Sequence, residues 1–94
     1  MKKFWIQGTI INEKKMNDEI MKEHMAYTQK AMESGRIIMS GLKADYSGGI
    51  CMMIANDIEE VNTYLIHEPL AKNNIQEYSV VEFDTHFLNL DILT

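Results

Sequence analysis

His24 is the side chain in this sequence with the clearest potential for acid–base chemistry. On a helical wheel with about 100° between neighbours, it lies within an apolar arc. The arc is formed by Ile20, Met21, Met25, Tyr27, Thr28, Ala31 and Met32. An imidazole on this face would point towards the core, where it needs a hydrogen-bond partner and could exchange a proton near neutral pH. The alternative is a structural histidine bonded to a backbone carbonyl or to Tyr27.

Glu68 is the second candidate, one helical turn after Tyr64 on a second predicted helix. It falls between Val61 and Tyr64 in direction, on the buried side, whereas His67 points towards solvent. A carboxylate at the C-terminal end of a helix is opposed by the helix dipole, so this placement calls for a nearby imidazolium or a catalytic use. The alternative is a frayed helix end with Glu68 in water.

The remaining reactive side chains do not suggest a metal or cofactor site. Cys51 lies in an apolar run without a basic neighbour, which favours simple packing. The three histidines have no ligand spacing, and the turn at 47–49 lacks the lysine of a phosphate-binding loop. We therefore expect no cofactor and no metal, with a site formed by His24, Glu68 and His86 through the fold as the alternative.

Six elements must position these side chains, in the order strand, helix, strand, strand, helix, strand. Apolar patterns predict strands over 3–11, 36–42, 49–55 and 75–87, and helices over about 18–34 and from 58 to Pro69. Capping signals predict the helix ends at Asn17, Gly35, Asp57 and Pro69. Two split βαβ units with right-handed crossovers give a ferredoxin-like α+β fold, a four-stranded antiparallel sheet with two helices on one face.

The other face of the predicted sheet has no helices. If the helices cover Phe4 and Ile6, the open face carries Trp5, Tyr78 and Val80, together with one register of the two middle strands. Soluble monomers rarely expose a contiguous apolar patch of more than a few hundred Å². A domain of 94 residues is also marginally stable alone. We therefore expect a second copy of the chain to cover this face in a homodimer.

Length and charge limit the remaining functions. The chain has 94 residues, 46% of them hydrophobic, which predicts one domain over residues 1–94 with a core at about 3–87 and a tail at 88–94. Nine basic and fourteen acidic residues give a net charge of −5, so we expect no nucleic-acid partner. The apolar start shows no cleavage site and is too short to span a bilayer, which needs about 20 residues. We expect a cytoplasmic protein that does not associate with membranes.

The sequence from about residue 22 to 87 resembles the YCII-related (YciI-like) domain family. The resemblance lies in the segment KEHMAYTQKAMESGRIIMSGL, a glycine-containing hairpin, an acidic-capped helix and the segment HEPLAKNNIQEYSVVEF. The residues that match the family's motifs are His24, Gly35, Ser40, Gly41 and Pro69. The departures are Leu42 in place of the usual proline, Glu68 in place of aspartate and Leu70 in place of an aromatic residue.

This resemblance implies a dimeric α+β barrel, in which two sheets pack through their open faces. It also implies that His24 and Glu68 form an acid–base pair in a small pocket, and we expect Tyr27 and Ser40 as polar contacts at the pocket wall. The first hypothesis is therefore a cofactor-free enzyme with isomerase, lyase or dehalogenase-like chemistry on a small organic molecule. The alternative is a non-catalytic ligand-binding or interaction module on the same fold. A haem-using monooxygenase, which requires an axial ligand in an open pocket, is the third and weakest hypothesis, because the sequence offers no candidate ligand beyond His24 and His86.

Overall fold

Four antiparallel strands form one sheet in the computed structural model, which describes residues 1–89. The strands are β1 (Lys2–Ile10), β2 (Ile37–Leu42), β3 (Gly49–Ala55) and β4 (Gln76–Phe83), in the spatial order β2-β3-β1-β4. The helices are α1 (Asp18–Glu33), α2 (Ile58–Ile66) and α3 (Pro69–Lys72), and a 3-10 turn spans Glu13–Lys15. The predicted ferredoxin-like α+β fold is confirmed, with α3 as an additional short helix. From residue 90 onwards, the tail predicted at 88–94 lies outside the described residues.

Local signals in the sequence set the ends of the two longer helices. The Asn17 side chain accepts a hydrogen bond from the Ile20 N–H at 2.8 Å, and Asp57 accepts one from the Glu60 N–H at 3.0 Å. Each contact satisfies a backbone donor that has no partner inside its helix. Gly35 follows α1 with a φ of +79°, a left-handed conformation that glycine adopts without strain. Both predicted N-caps and the predicted stop after α1 are confirmed.

Pro69 begins a helix instead of ending one. The helix α2 ends at Ile66, and the chain then enters α3 with Glu68 as the N-cap and Pro69 at the first helical position. Proline suits this position, because its missing N–H would have no intrahelical partner there. The prediction that Glu68 lies at a helix C-terminus is therefore wrong. Its carboxylate lies at a helix start, where free N–H groups and the positive end of the dipole favour it.

The helices cover one face of the sheet, and the core lies between the two layers. The most deeply buried side chains there each have at most 2% of their surface exposed. They are Phe4, Ile6, Met53, Val61 and Ile75. Burial of each large apolar side chain contributes about 1.5–3 kcal/mol to stability. This layer therefore supplies the rigid support on which the polar groups of β4 and the helices are arranged.

Cross-strand pairing decides which side chains of β4 belong to each face. Ile6 pairs with Val80, and Trp5 pairs with Val81. Residues directly opposite each other on neighbouring strands point to the same face. Val80 and Tyr78 therefore lie on the covered face, and their predicted position on the open face is wrong. Alternation along one strand shows which residues share a face, but only the register with β1 shows which face that is.

The open face of the sheet carries a group of apolar side chains. Trp5, Met52, Val81 and Phe83 line a shallow depression there, and Val81 is 57% exposed. The exposed Met39 pairs with Met52 and extends this group onto β2. We call these five side chains the open-face patch. Within residues 1–89, no helix combines the length and the apolar character needed to cross a membrane.

Candidate active site

The helix α1 and the junction between α2 and α3 bring His24 and Glu68 together. His24 Nδ1 is hydrogen-bonded to Glu68 Oε1. The two residues differ in exposure, since the side chain of His24 is 27% exposed and that of Glu68 only 3%. With Nδ1 engaged by Glu68, Nε2 is the ring nitrogen that remains available for proton exchange. The pair thus joins a buried carboxylate to an imidazole that molecules from solvent can reach.

Three further donors converge on Glu68. The N–H groups of Leu70 and Ala71 donate to Oε2 at 3.0 and 3.3 Å, and the hydroxyl of Tyr78 donates to the same oxygen at 2.6 Å. Burying a carboxylate is costly unless its oxygens accept hydrogen bonds. These contacts, together with that of His24, explain how Glu68 can lie among apolar core residues. They also leave Oε1 as the oxygen that faces the imidazole.

The start of β4 supplies a second row of polar groups beside Glu68. Gln76 Nε2 donates to the hydroxyl oxygen of Tyr78 at 2.8 Å, and Gln76 Oε1 accepts from the Gly49 N–H at 2.8 Å. Gln76 is only 4% exposed. Hydrogen bonds therefore run without a gap from the β2–β3 hairpin through Gln76 and Tyr78 to Glu68 and His24. In the part of the chain that the structure describes, every buried side-chain nitrogen and oxygen has a partner.

Two glycines leave space for the Gln76 side chain. A Cβ atom at Gly8 would overlap the amide end of Gln76, and a Cβ atom at Gly48 would overlap the backbone carbonyl of Gly8. The close approach of these segments brings the Gly49 N–H within reach of Gln76. Neither Gln76 nor Tyr78 was predicted as a site residue. No local signal in the sequence identifies them, because only the register of β4 with β1 shows that their face of the strand is the covered one.

A partly open cavity of about 60 Å³ lies beside the pair. Its apolar wall includes Ile6, Ile37 and Leu65. Its polar wall includes His24, Thr28, Ser40, Glu68, Gln76 and Tyr78. No lysine or arginine is among the residues of the 1–89 segment that line it. The ionisable groups that a small molecule would meet in this cavity are therefore mainly those of the pair.

Ser40 and Tyr27 were both predicted at the pocket wall, but they lie in different places. Ser40 lines the cavity, opposite Cys51 in the pairing of β2 with β3. Tyr27 lines a separate depression. Its hydroxyl donates to the Tyr64 carbonyl at 2.7 Å, and the two rings pack with their centroids 4.7 Å apart. The structure thus gathers His24, Glu68 and Ser40 around one cavity and uses Tyr27 to join α1 to α2.

Burial controls the protonation of the weaker acids around the cavity. Burial, with a smaller contribution from Glu68, raises the pKa of the Cys51 thiol to about 11. Burial and the hydrogen bond to Glu68 raise the pKa of Tyr78 far above its ordinary value. At neutral pH, Cys51 is thus a neutral thiol and a weak nucleophile, and Tyr78 is a hydroxyl that can donate. Within the described residues, no three His, Cys, Asp or Glu side chains lie close enough to hold a metal ion, so His24, Glu68 and His86 do not form a metal site there.

Comparisons with known proteins agree with this architecture. The model of the YCII-related domain family matches residues 6–84. A similar solved structure is 5-chloro-2-hydroxyhydroquinone dehydrochlorinase (TftG) from Burkholderia phenoliruptrix AC1100, in complex with 2,5-dihydroxybenzoquinone. The TM-score is 0.73 at 19% sequence identity, and the alignment covers 87% of this chain and 93% of that chain. At this identity the similarity is one of fold. A search of curated proteins found no significant match.

Proposed function

This chain belongs to the YCII-related domain family, and from that premise we propose that it is a small-molecule enzyme with His24 and Glu68 as its acid–base pair. The observation that carries the proposal is the hydrogen bond between His24 Nδ1 and the buried Glu68 carboxylate, at the wall of a cavity. A partly exposed imidazole bonded to a buried carboxylate is an arrangement suited to proton transfer.

Glu68 determines which nitrogen of His24 acts as the base. Its carboxylate accepts a hydrogen bond from the Nδ1–H group, so Nε2 carries the free lone pair. In the proposed reaction, Nε2 removes a proton from a substrate held in the cavity, and the neighbouring carboxylate stabilises the imidazolium that forms. The imidazolium then returns the proton to the product or to water. General acid–base catalysis of this kind contributes about 10²- to 10⁴-fold to a rate.

The cavity favours a small organic substrate that is not held through a carboxylate or phosphate group. Proteins usually bind such groups with arginine or lysine, and neither lines the cavity within the described residues. The apolar wall and the Ser40 hydroxyl suit a compact hydroxylated or halogenated molecule. The name of the dehydrochlorinase of similar fold states that this enzyme removes HCl from its substrate. The pair could support that type of elimination, in which the base takes a proton and chloride leaves with the electrons of its bond.

We also propose that the protein is a homodimer joined through the open-face patch. The patch lies on the side of the sheet opposite the cavity, where no helix of the described chain covers it. An apolar face of a four-stranded sheet is stabilised when a second layer removes it from water. A second copy offers the same patch, so a two-fold axis through this face would pair like with like.

Chloride release tests the proposed reaction. Wild-type protein is mixed with 5-chloro-2-hydroxyhydroquinone and a panel of related chlorinated hydroxyquinols, and free chloride is measured over time. We expect His24→Ala to lower the rate by about 10²- to 10⁴-fold. His67→Ala is the matched control, because His67 is exposed at the end of α2 and its ring is hydrogen-bonded to the Thr63 carbonyl, away from the cavity. This variant should keep the wild-type rate.

Two outcomes would count against the enzyme. A folded His24→Ala variant that releases chloride as fast as the wild type would exclude His24 as the base. A wild-type protein that binds these molecules but turns none of them over would favour the alternative, a ligand-binding module on the same fold. Circular dichroism of each variant establishes that the fold is retained.

A further inference from the structure

We propose that Tyr78 and Gln76 are positioning residues that hold the Glu68 carboxylate in place for His24. The inference rests on the proposed function, because it concerns the same acid–base pair. Neither residue needs to touch a substrate for this role. Each acts through the next group in the hydrogen-bonded row, and the row ends at the imidazole.

The direction of the row is fixed by the chemistry of its members. The amide nitrogen of Gln76 can only donate, and it donates to the Tyr78 oxygen at 2.8 Å. The Tyr78 hydroxyl therefore has its own proton free to point at Glu68, which it meets at 2.6 Å. The amide oxygen of Gln76 is held at the other end by the Gly49 N–H. Gln76 thus prevents the hydroxyl from turning round, and Tyr78 remains a donor to the carboxylate.

Tyr78 makes the shortest contact to Glu68 Oε2. Its 2.6 Å distance lies in the range of charge-assisted O–H···O⁻ bonds, about 2.5–2.7 Å, whereas the Leu70 and Ala71 N–H groups lie at 3.0 and 3.3 Å. The backbone of α3 therefore holds this oxygen more loosely than Tyr78 does. A strongly held Oε2 fixes the plane of the carboxylate, and the plane decides whether Oε1 faces His24.

The surroundings of Gln76 indicate a built arrangement. Gln76 is 4% exposed, and both polar ends of its side chain have partners. The space that it occupies exists because Gly8 has no Cβ atom. Burial, and then the bond to Glu68, raise the pKa of Tyr78, so the hydroxyl keeps its proton at every pH where the fold is expected to function. Tyr78 therefore donates its hydrogen bond to the Glu68 carboxylate throughout that pH range.

Nitrogen-15 spectra of the histidine rings test the role of the row without a substrate. In spectra recorded at about pH 8, the signals of the two ring nitrogens show which one carries the proton. We expect wild-type His24 to be mainly in the Nδ1–H form. Tyr78→Phe removes the donor, and Gln76→Glu places an acceptor where the amide donated, which lets the Tyr78 hydroxyl turn away from Glu68. Each variant should lower the ratio of the Nδ1–H to the Nε2–H form about tenfold, because a carboxylate that turns away from His24 no longer favours the Nδ1–H form through a hydrogen bond to a charged group.

Tyr46→Phe is the control, because Tyr46 is 74% exposed in the β2–β3 hairpin and lies outside the row. It should leave the His24 signals unchanged. If folded Tyr78→Phe and Gln76→Glu proteins both keep the wild-type ratio, the positioning role is wrong although the pair stands. If wild-type His24 is already in the Nε2–H form, the pair itself is wrong. Tyr78→Phe keeps the ring and its packing, so it provides the decisive result should Gln76→Glu fail to fold.

Discussion

The two faces of the sheet use the same strand in opposite ways. On the helix-covered face, β4 places the polar ends of Gln76 and Tyr78 next to the buried carboxylate of Glu68. On the open face, the same strand contributes Val81 and Phe83 to an apolar patch. The common arrangement in a sheet of this kind is the reverse, with apolar residues towards the core and polar residues towards solvent.

This difference matches the two functions that we propose for the two faces of this small domain. Buried polar groups are retained only where each has a partner, and around Glu68 they form a fully bonded row that ends at His24. Exposed apolar groups are stabilised only when something covers them. We therefore interpret the covered face as the site of chemistry and the open face as the site of self-association. Changes on one face should leave the property of the other largely intact.

Removing the Glu68 carboxylate should have the largest effect on the covered face. In Glu68→Ala, the Leu70 and Ala71 N–H groups, the Tyr78 hydroxyl and His24 all lose an acceptor. We expect the free energy of unfolding to fall by about 3–5 kcal/mol, as for breaking a buried charged contact. Urea denaturation followed by circular dichroism measures it.

Glu68→Asp is the matched control for that change. Aspartate is also a good N-cap, so α3 should keep its capping contacts while the shorter side chain draws back from His24. We expect less than half of the loss seen for alanine, since the carboxylate and its donors remain. A Glu68→Ala protein as stable as the wild type would show that the row contributes little to the fold.

A charge on the open face should change association and leave the covered face unaffected. Val81→Asp places a carboxylate in the open-face patch, where a dimer would bury it without a partner. We expect the dissociation constant of the dimer to rise at least about 100-fold, which corresponds to about 2.7 kcal/mol. Analytical ultracentrifugation over a range of concentrations measures it.

Ile66→Asp is the control for the open face, because Ile66 is 64% exposed at the end of α2 on the other side of the sheet. This variant should have the same mass in solution as the wild-type dimer at each concentration. Two results would show that the open-face patch does not mediate self-association. One is a wild-type protein that is monomeric at all concentrations, and the other is a Val81→Asp protein that stays dimeric.

Alkaline pH should give the smallest of these effects, again on the covered face. The folded pKa of Cys51, about 11, lies above its ordinary value of 9.0, because burial disfavours the thiolate. A group with a raised folded pKa contributes its full stability below the unfolded value and loses it as the pH rises through the folded one. The urea midpoint should therefore fall as the pH rises from about 9 to about 11, and less so in Cys51→Ser. A midpoint that is constant over this range would contradict the burial of the thiol.

The sequence predicts the helices and strands and both members of the pair, because the signals for them are local. His24 stands out because helical periodicity puts an imidazole inside an apolar arc, and the N-caps Asn17 and Asp57 act within one turn. Glu68 is found on the buried side, but its position at a helix start is missed. Proline can end one helix or begin another, and the choice depends on how α3 packs.

The polar row was not predictable from the sequence, because it depends on contacts between distant segments. Gln76 and Tyr78 gain their meaning only when the register of β1 with β4 turns them towards the helices. The hairpin must also bring the Gly49 N–H to Gln76, 27 residues away in the chain. Periodicity along one strand contains neither piece of information. Tyr27 was predicted at the pocket wall, and it lies on the predicted face of α1. Its hydroxyl bonds the backbone of α2, however, and its ring lines a separate depression.

A ligand titration that observes both faces at once most directly tests whether the active site lies on the covered face. The His24 ring nitrogens report on the covered face and the Trp5 indole N–H on the open face, and 2,5-dihydroxybenzoquinone serves as the probe, since the dehydrochlorinase of similar fold binds it. We predict that the probe shifts the Nε2 signal of His24, leaves Nδ1 bonded to its proton and leaves Trp5 unchanged. A probe that shifts the Trp5 indole and leaves His24 unchanged would place ligand binding on the open face and contradict an active site at His24.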